Sequence, residues 1–407
     1  MGPMMTARPL PLADCEDVVW FRDGPGAARG TAATLGRRIG LGDQRTAELV
    51  LAVAELAANL TKHATDSSIL LRVLRRRPEP GADVVAGVEV ITVDGGPGMA
   101  DVTAALRDGM STTGTLGIGL GAVQRLADTF DIHSQPGTGT IQLARFWPRS
   151  APPASTIEPA VGGITRPISG EQVCGDAWAA RADSGSGDRA AHPPRTSPAD
   201  PGPSATGGPD WSALTGTRKP RTYTGVRPGA SAPVDAAVPG PGEGLLVMSC
   251  DGLGHGPLAA LAAQAAVNAF RTGTGRTPEQ VMEEVHRALR GTRGAAVAIA
   301  RLEPDGRVLF CGVGNITAAL VNSTGRVNLL SHPGIAGHKM HRLRTQEYRM
   351  PAQGNLVMHS DGLSDRWGAA DLAGLLDHPP AVIATGLLRE AGTRRDDASA
   401  VIARAPR

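Results

Sequence analysis

Five aspartates from residue 176 onward stand where an apolar run ends or close to one. The segments that carry them are Gly175-Asp176, Asp251-Gly252-Leu253-Gly254-His255-Gly256, Ser360-Asp361-Gly362 and Asp396-Asp397. Hard oxygen ligands without a Cys or His partner favour Mg²⁺ or Mn²⁺ over zinc. Two such ions a few ångströms apart can share a hydroxide and direct it at a phosphorus. A single Asp-Gly after a strand is usually only a turn, so the four segments together carry the hypothesis of a two-metal cage.

A second group of polar residues lies on one helix in the first half of the chain. Glu55 and Asn59 are four residues apart and share a helix face, with Lys62 one turn further along. A carboxylate and a carboxamide at this spacing can provide a general base and position Mg²⁺ beside a phosphoryl group. Taken alone, such a pair is more often an ordinary solvated helix face.

Two glycine-rich segments follow that helix. Asp94-Gly95-Gly96-Pro97-Gly98 comes directly after a strand pattern, so its backbone can approach a flat ring and its carboxylate can accept from an exocyclic amine. Gly117-Ile118-Gly119-Leu120-Gly121 opens a helix pattern, where backbone N–H groups and the helix dipole suit phosphate. Each glycine run alone is more often a tight turn than a nucleotide site.

The elements that must position these residues can be predicted from apolar periodicity. Leu49, Val53, Leu56 and Leu60 form one stripe and predict a helix over 43–63. Further helices are predicted over 119–130, 257–270 and 278–290, and a hairpin through 136–139. Strands are predicted over 88–93, 244–249, 295–302, 307–312, 317–322 and 355–359.

The same pattern predicts a two-domain α/β chain. An α/β domain over 14–148 follows a flexible amino terminus over 1–13. A Pro/Ala/Ser-rich linker over 149–160 leads to a second domain over 161–406, in which a sheet-on-sheet core with flanking helices is expected. Residues 182–243 are rich in Pro, Gly and Ser with almost no large aliphatic side chains, which predicts a disordered insertion.

The order of motifs in the first domain resembles the Bergerat-fold (GHKL) ATPases, and ELAANLTKHA with VDGGPGM resembles the RsbT-type switch kinases within them. The resemblance implies an α/β sandwich that binds ATP. It implies that Glu55 acts as a base on a partner hydroxyl, that Asn59 holds Mg²⁺, and that Asp94 accepts from the adenine amine. The candidate nucleotide-binding residues are Asn59, Lys62, Asp94, Gly96, Gly98, Gly117, Gly119, Gly121 and Thr140.

DGLGHG and HSDGLSDRW in the second domain resemble the SpoIIE/RsbX branch of the metal-dependent (PPM) protein phosphatases. The resemblance implies an α-β-β-α fold with Mg²⁺ or Mn²⁺. Asp251 would bridge two ions, with Asp176 and the Gly252 carbonyl completing one site. Asp361 and Asp396 would complete the other, and Asp396 is preferred to Asp397 because the family's aspartate comes first in this pattern.

Composition and charge narrow the remaining possibilities. The 41 basic and 39 acidic residues give a net charge of +2, with no basic block that indicates nucleic-acid or membrane binding. The four cysteines have no CxxC spacing, and the chain has no uncharged apolar run of about 18 residues. These features predict a protein of the reducing cytoplasm.

Both resemblances imply protein substrates. We expect a partner-switching regulator that phosphorylates Ser or Thr on a STAS-type antagonist of an anti-sigma factor, and that reverses a phosphorylation in the same pathway. The downstream step, control of a sigma factor or stress response, rests on family analogy. Two alternatives stay open: an ATP-binding domain that sequesters a partner without phosphoryl transfer, and a small-molecule phosphatase with a vestigial ATP domain.

Overall fold

The computed structural model describes residues 12–22, 25–78, 82–107, 119–183, 244–340, 343–393 and 395–405. Gly117 and nearly all of the insertion expected over 182–243 lie outside these ranges, as do residues 1–11 of the expected flexible amino terminus. Leu12 and Ala13, at the end of that stretch, are buried. Within the described residues, no helix is both long and apolar enough to cross a membrane.

The first domain is a five-stranded antiparallel sheet in the order β1-β2-β3-β5-β4 with helices on one face. Its strands are β1 (Asp14–Phe21), β2 (Ser68–Arg76), β3 (Val85–Val93), β4 (Thr129–Gln135) and β5 (Gly139–Phe146). Its helices are α1 (Ala28–Arg38), α2 (Asp43–His63), α3 (Val102–Ala105) and α4 (Leu120–Leu126).

The apolar stripe of α2 packs on the sheet as its spacing predicts. Leu49, Val53, Leu56 and Leu60 are all buried, in one cluster with side chains of α1, α4 and the facing strands. The helix has the predicted bounds, Asp43–His63. The predicted helix over 119–130 was wrong at its end: α4 stops at Leu126 because Ala127 is extended and Thr129 begins β4.

The second domain is a sandwich of two sheets, with strand orders β13-β10-β9-β8-β7 and β12-β11-β15-β16-β6, and β14 paired to β10. Its strands are β6 (Val161–Arg166), β7 (Asp176–Ala182), β8 (Leu245–Gly252), β9 (Ala295–Leu302), β10 (Arg307–Val313), β11 (Thr317–Asn322), β12 (Gly325–Leu329), β13 (Ser331–His332), β14 (Gln346–Arg349), β15 (Asn355–His359) and β16 (Ala398–Arg404). Buried side chains of both sheets form the core between them.

Helices cover both outer faces of this sandwich. Helices α5 (Pro257–Thr272) and α6 (Pro278–Ala288) pack on the sheet that contains β8 and β9. Helix α7 (Pro380–Ala391) packs on the sheet that contains β6 and β16. The layers are therefore helix, sheet, sheet, helix, which confirms the fold class expected for this half of the chain.

Helix α7 also packs on the first domain. Leu70, Ile91, Ile141 and Leu143 lie on the face of the first sheet that carries no helix of its own domain, and they share one buried cluster with α7. This explains why the β3 sequence is apolar at nearly every position, since both faces of the strand are covered. The segment expected to be a linker is also packed, because the Arg76 guanidinium donates to the carbonyls of Ser155 (2.8 Å) and Ile157.

Candidate nucleotide and metal sites

The antiparallel pair β7–β8 places Asp176 directly opposite Asp251. Because the two facing carboxylates carry like charges, ionisation of one opposes ionisation of the other. Burial, and then the nearby charges of Asp176, Asp361 and Asp396, raise the pKa of Asp251. Burial also raises the pKa of Asp176, with the charges of Asp397 and Asp361 acting in the same direction. The two strands thus hold together carboxylates that are 75 positions apart in the sequence.

Asp361 follows β15 and faces the same region. The Asn315 side-chain amide donates to its Oδ2 at 2.6 Å. Burial, followed by the charge of Asp396, raises the pKa of Asp361. The structure therefore gathers Asp176, Asp251, Asp361 and Asp396 around one end of the sandwich.

Asp397 has a different environment from its neighbour Asp396. Its two carboxylate oxygens accept backbone N–H groups from Ile168 (2.7 Å) and Gly175 (2.8 Å), and it is buried. These bonds fix the loop that leads into Asp176. Asp396 is half-buried, and its Oδ1 accepts the backbone N–H of Asp397 at 2.9 Å.

Gly252 lies at a point where no side chain fits. A Cβ on this residue would stand 2.4 Å from the Ala259 carbonyl oxygen, at the start of α5. The Gly252 N–H donates to the Gly175 carbonyl at 3.0 Å, which ties the two aspartate loops together. The close approach of α5 therefore requires glycine beside Asp251.

The donor set fits a hard divalent cation in its chemistry. Asp176 Oδ2 is buried without a hydrogen-bond partner, and burial, followed by the charges of neighbouring carboxylates, raises the pKa of Asp176 and of Asp251. A cation would relieve both. In the described ranges, no three His, Cys, Asp or Glu side chains are arranged so as to enclose an ion.

The proposed adenine contact, Asp94, is buried at the end of β3. Its Oδ1 accepts the N–H of Gly96 at 2.7 Å, and its backbone N–H donates to the Thr140 carbonyl at 3.0 Å. Burial is the largest cause of its raised pKa, while its hydrogen bonds oppose the shift. Gly95 is tied to the end of α2, because its N–H donates to the Thr65 carbonyl at 2.9 Å.

Backbone contacts explain the glycine at position 98. Gly98 has a φ of +66°, and a Cβ there would lie 2.1 Å from the Gln135 carbonyl oxygen. Next to it, the Met99 N–H donates to Ser134 Oγ at 2.8 Å, and Ser134 in turn pairs with Thr140 Oγ1 at 2.8 Å. The loop after β3 is therefore held against the β4–β5 hairpin, and Thr140 lies beside it.

The remaining candidate nucleotide residues are spread along α2 and α4. Glu55 and Asn59 are half-buried on α2, and Lys62 is exposed in its last turn. Gly119, with a φ of +77°, precedes α4, while Gly121 is buried inside that helix. The described contacts do not join these residues to Asp94.

Two residues near the sites were missed in the sequence. Asn315 follows the apolar strand β10 just as Asp361 follows β15, but an asparagine after a strand does not by itself indicate a metal site. Ser134 lies inside β4, where nothing local distinguishes it. His255, in the DGLGHG segment, is exposed and lies 3.4 Å from Glu171.

Comparison with known proteins matches each half of the chain separately. Residues 25–145 match the histidine kinase-like ATPase domain family, and residues 241–406 match the stage II sporulation protein E (SpoIIE) family. Serine/threonine-protein kinase RsbT of Bacillus subtilis is 34% identical over 123 residues, which cover 30% of this chain and 88% of RsbT. The chain belongs to the RsbT-type kinases and carries a SpoIIE phosphatase domain. The predicted family of each half is thereby confirmed.

Solved structures also align with this chain. SpoIIE from Bacillus subtilis, solved as its PP2C phosphatase domain with a fragment of its regulatory domain, is 12% identical, with a TM-score of 0.40 and 93% of each chain covered. RsbX in complex with magnesium is 17% identical, with a TM-score of 0.40, 60% of this chain and 92% of RsbX covered. The family assignment rests on the sequence matches and the observed topology.

Proposed function

We propose that this chain is a bifunctional partner-switching regulator. Its kinase domain transfers phosphate from ATP to Ser or Thr on a STAS-type antagonist of an anti-sigma factor. Its phosphatase domain hydrolyses a phosphoprotein of the same pathway with Mg²⁺ or Mn²⁺, in the cytoplasm. Control of a sigma factor or stress response follows from this assignment. The likeness to RsbT and SpoIIE supports the two activities.

The single observation that carries the phosphatase assignment is the pairing of Asp176 with Asp251, with Asp361 and Asp396 beside them. Divalent ions held there would supply an activated hydroxide and neutralise the phosphate charge. We assign Asp251 as the bridging ligand, Asp176 and the Gly252 carbonyl to one ion, and Asp361 and Asp396 to the other. Asn315 orients Asp361 through its 2.6 Å hydrogen bond. The two backbone bonds to Asp397 support the choice of Asp396 as the ligand.

For the kinase half we assign Glu55 as the base for the acceptor hydroxyl and Asn59 to Mg²⁺. Asp94 binds the adenine amine, with Lys62, Gly96, Gly98, Gly117, Gly119, Gly121 and Thr140 around the nucleotide. The hydrogen bond from Gly96 keeps the Asp94 carboxylate oriented, which supports its role as an acceptor. Tight packing between the Asp94 loop and the β4–β5 hairpin supports a preformed adenine pocket.

Substitution of Asp251 by Asn tests the metal cage. Loss of a residue that only orients a metal ligand costs about 10- to 100-fold, so we expect loss of the bridging ligand to lower Mn²⁺-dependent hydrolysis of a phosphoprotein at least about 100-fold. The control is Asp305→Asn, which removes a carboxylate that is 54% exposed in a surface turn. Activity retained in Asp251→Asn would contradict the cage.

Substitution of Glu55 by Ala tests phosphoryl transfer. General-base catalysis contributes about 10²- to 10⁴-fold, so we expect transfer of labelled phosphate from ATP to a STAS protein to fall by that factor while ATP still binds. Glu283→Ala, at an exposed helix position in the other domain, is the matched control. Complex formation without label transfer by the native chain would instead show that the domain sequesters its partner.

A further inference from the structure

A cleft of about 160 Å³ lies between the kinase domain and the loop that carries Asp396. The residues that line it are Arg22, Asp66, Ser67, Ser68, Arg166, Pro167, Ile168, Ser169 and Asp396. Four of them, Arg22 and residues 66–68, belong to the kinase domain. A larger cavity of about 560 Å³ beside α6 contains none of the candidate site residues. The smaller cleft joins the two domains at a candidate metal ligand.

Hydrogen bonds fix the phosphatase-side wall of this cleft to both domains. The Arg22 guanidinium donates to the Pro167 carbonyl. Trp20 Nε1 donates to the neighbouring Thr165 carbonyl at 2.7 Å, from the end of β1. The Ile168 N–H donates to Asp397, next to Asp396. The kinase domain thus holds the segment that faces the metal ligand.

The kinase-side wall is continuous with the nucleotide site. Ser67 and Ser68 follow Thr65, whose Oγ1 donates to the Gly95 carbonyl at 3.0 Å and whose carbonyl accepts the Gly95 N–H. Between them, Asp66 has a φ of +53°, a left-handed backbone that costs energy for a residue other than glycine and is often found at functional sites.

The lining has the chemistry of a phosphate site. Guanidinium groups match phosphate oxygens with a fork of N–H donors, and serine hydroxyls can add further hydrogen bonds. Liquid water occupies about 30 Å³ per molecule, so the cleft has room for a phosphoryl group. Two carboxylates also line it: Asp396 would share its charge with a bound cation, and the Asp66 side chain is exposed.

We propose that this cleft binds the phosphate monoester of the phosphatase domain's phosphoprotein substrate, with Arg22 of the kinase domain as a substrate-binding residue. The identity of the ester rests on the proposed function, whereas binding of a phosphate dianion does not. The kinase domain then contributes to substrate recognition by the phosphatase domain. Inorganic phosphate, the reaction product, shares this chemistry and serves as the probe.

Calorimetric titration of inorganic phosphate into the full chain tests the cleft without turnover. Mg²⁺ is present, and a non-hydrolysable ATP analogue saturates the nucleotide site. A hydrogen bond to a charged group corresponds to about 10- to 100-fold in Kd, so we expect Arg22→Gln to weaken phosphate binding by that factor. Arg29→Gln, at an exposed position on α1, is the matched control and should bind as the native chain does.

A second variant is needed because Arg22→Gln also removes a hydrogen bond to the Pro167 carbonyl and could weaken phosphate binding through a local packing defect. Ser67→Asp adds a negative charge to the wall, and we expect at least about tenfold weaker phosphate binding through repulsion. Ser67→Asn has a similar size without the charge and should bind normally. Native phosphate affinity in both Arg22→Gln and Ser67→Asp would overturn the proposal.

Steady-state kinetics separate the protein-borne ester from the free product. With a phosphopeptide substrate, Arg22→Gln should raise KM about tenfold or more and leave kcat within about twofold. A change in phosphate affinity without a change in KM would restrict the cleft to the product and overturn its role in substrate binding. If the native chain does not hydrolyse phosphopeptides, the proposed phosphatase function is refuted. The calorimetric titration would still show whether the cleft binds phosphate.

Discussion

The imidazole of His359 is completely buried between two groups that fix its protonation state. Its Nε2 accepts the Trp367 indole N–H at 3.0 Å, so Nδ1 must carry the proton that is donated to the Ser360 carbonyl at 2.8 Å. A second proton on Nε2 would face the indole N–H. Burial is the main cause that lowers the pKa of His359 to about 4. The neutral ring is therefore part of the support for the strand end that carries Asp361.

This arrangement predicts a loss of stability in acid. Below a pH of about 6.5 the unfolded chain protonates this histidine, while the folded chain does so only near a pH of about 4. Stability contributed by His359 is thus fully present above about pH 6.5 and is lost as the pH falls towards 4. We expect the native chain, in a metal chelator, to lose about 2–3 kcal/mol more unfolding free energy than His359→Gln between about pH 7.5 and about pH 4.5. Urea titrations at both pH values measure this, and parallel losses in the two proteins would contradict it.

At the scale of elements, α7 is buried on two sides at once. Ten of its twelve residues are buried, because one side packs on β6 and β16 and the other on the kinase sheet. A helix that is apolar on every face belongs inside a protein. Gly386 allows the closest contact, since a Cβ there would lie 2.6 Å from Leu375 and 3.4 Å from Ile141.

A large-to-small substitution in α7 should therefore lower the free energy of unfolding as much as one in the hydrophobic core of a single domain. We expect Leu387→Ala to lower the free energy of unfolding by about 2–5 kcal/mol, because it leaves a cavity in a cluster shared by both domains. Leu261→Ala on α5, where the side chain is 60% exposed, should change it by less than about 0.5 kcal/mol. Equal, small effects in chemical denaturation would argue that the α7 contact is loose.

At the scale of the molecule, a buried triad of charged residues lies near the apolar contact between α7 and the first sheet. The Glu89 carboxylate on β3 accepts hydrogen bonds from Arg72 of β2 at 2.5 Å and from Arg145 of β5 at 2.6 Å. Burial alone would raise the pKa of Glu89, but the two guanidinium charges outweigh it and lower the pKa. Arg72 also donates to the Gly163 carbonyl of β6 at 2.6 Å. The kinase sheet is thus completed by polar as well as apolar groups of the phosphatase domain.

The two domains should for this reason unfold as one unit. We expect a single calorimetric transition for the full chain, and a separate fragment of residues 1–148 to unfold at a lower temperature or to self-associate. That fragment would expose Leu70, Ile91, Ile141 and Leu143 to water. Two separated transitions in the full chain, with the first matching the fragment, would contradict the shared core.

Sequence alone determined the parts of this protein whose signals are local. The α2 stripe and the strands β8, β9, β10, β11 and β15 depend on neighbours a few residues apart, so periodicity predicted them, and local motif order singled out the glycine segments. The other strands of the sandwich were not predicted. The sequence could also suggest that Asp176, Asp251, Asp361 and Asp396 belong together, through the resemblance of their segments to a known family. The predicted helix over 119–130 ran too far, because residues 129 and 130 belong to β4. That strand is stabilised by its pairing with β5, which the local sequence does not show.

Only the tertiary structure decided which residues from distant segments of the sequence contact one another. The position of α7 between two sheets, the hydrogen bond from Asn315 to Asp361, and the cleft shared by Arg22 and Asp396 join residues that are 46 or more positions apart. None of these contacts leaves a local pattern, because a side chain that serves a remote partner looks like any polar or apolar residue in its own segment. They form only when the two sheets of the sandwich and the two domains pack together.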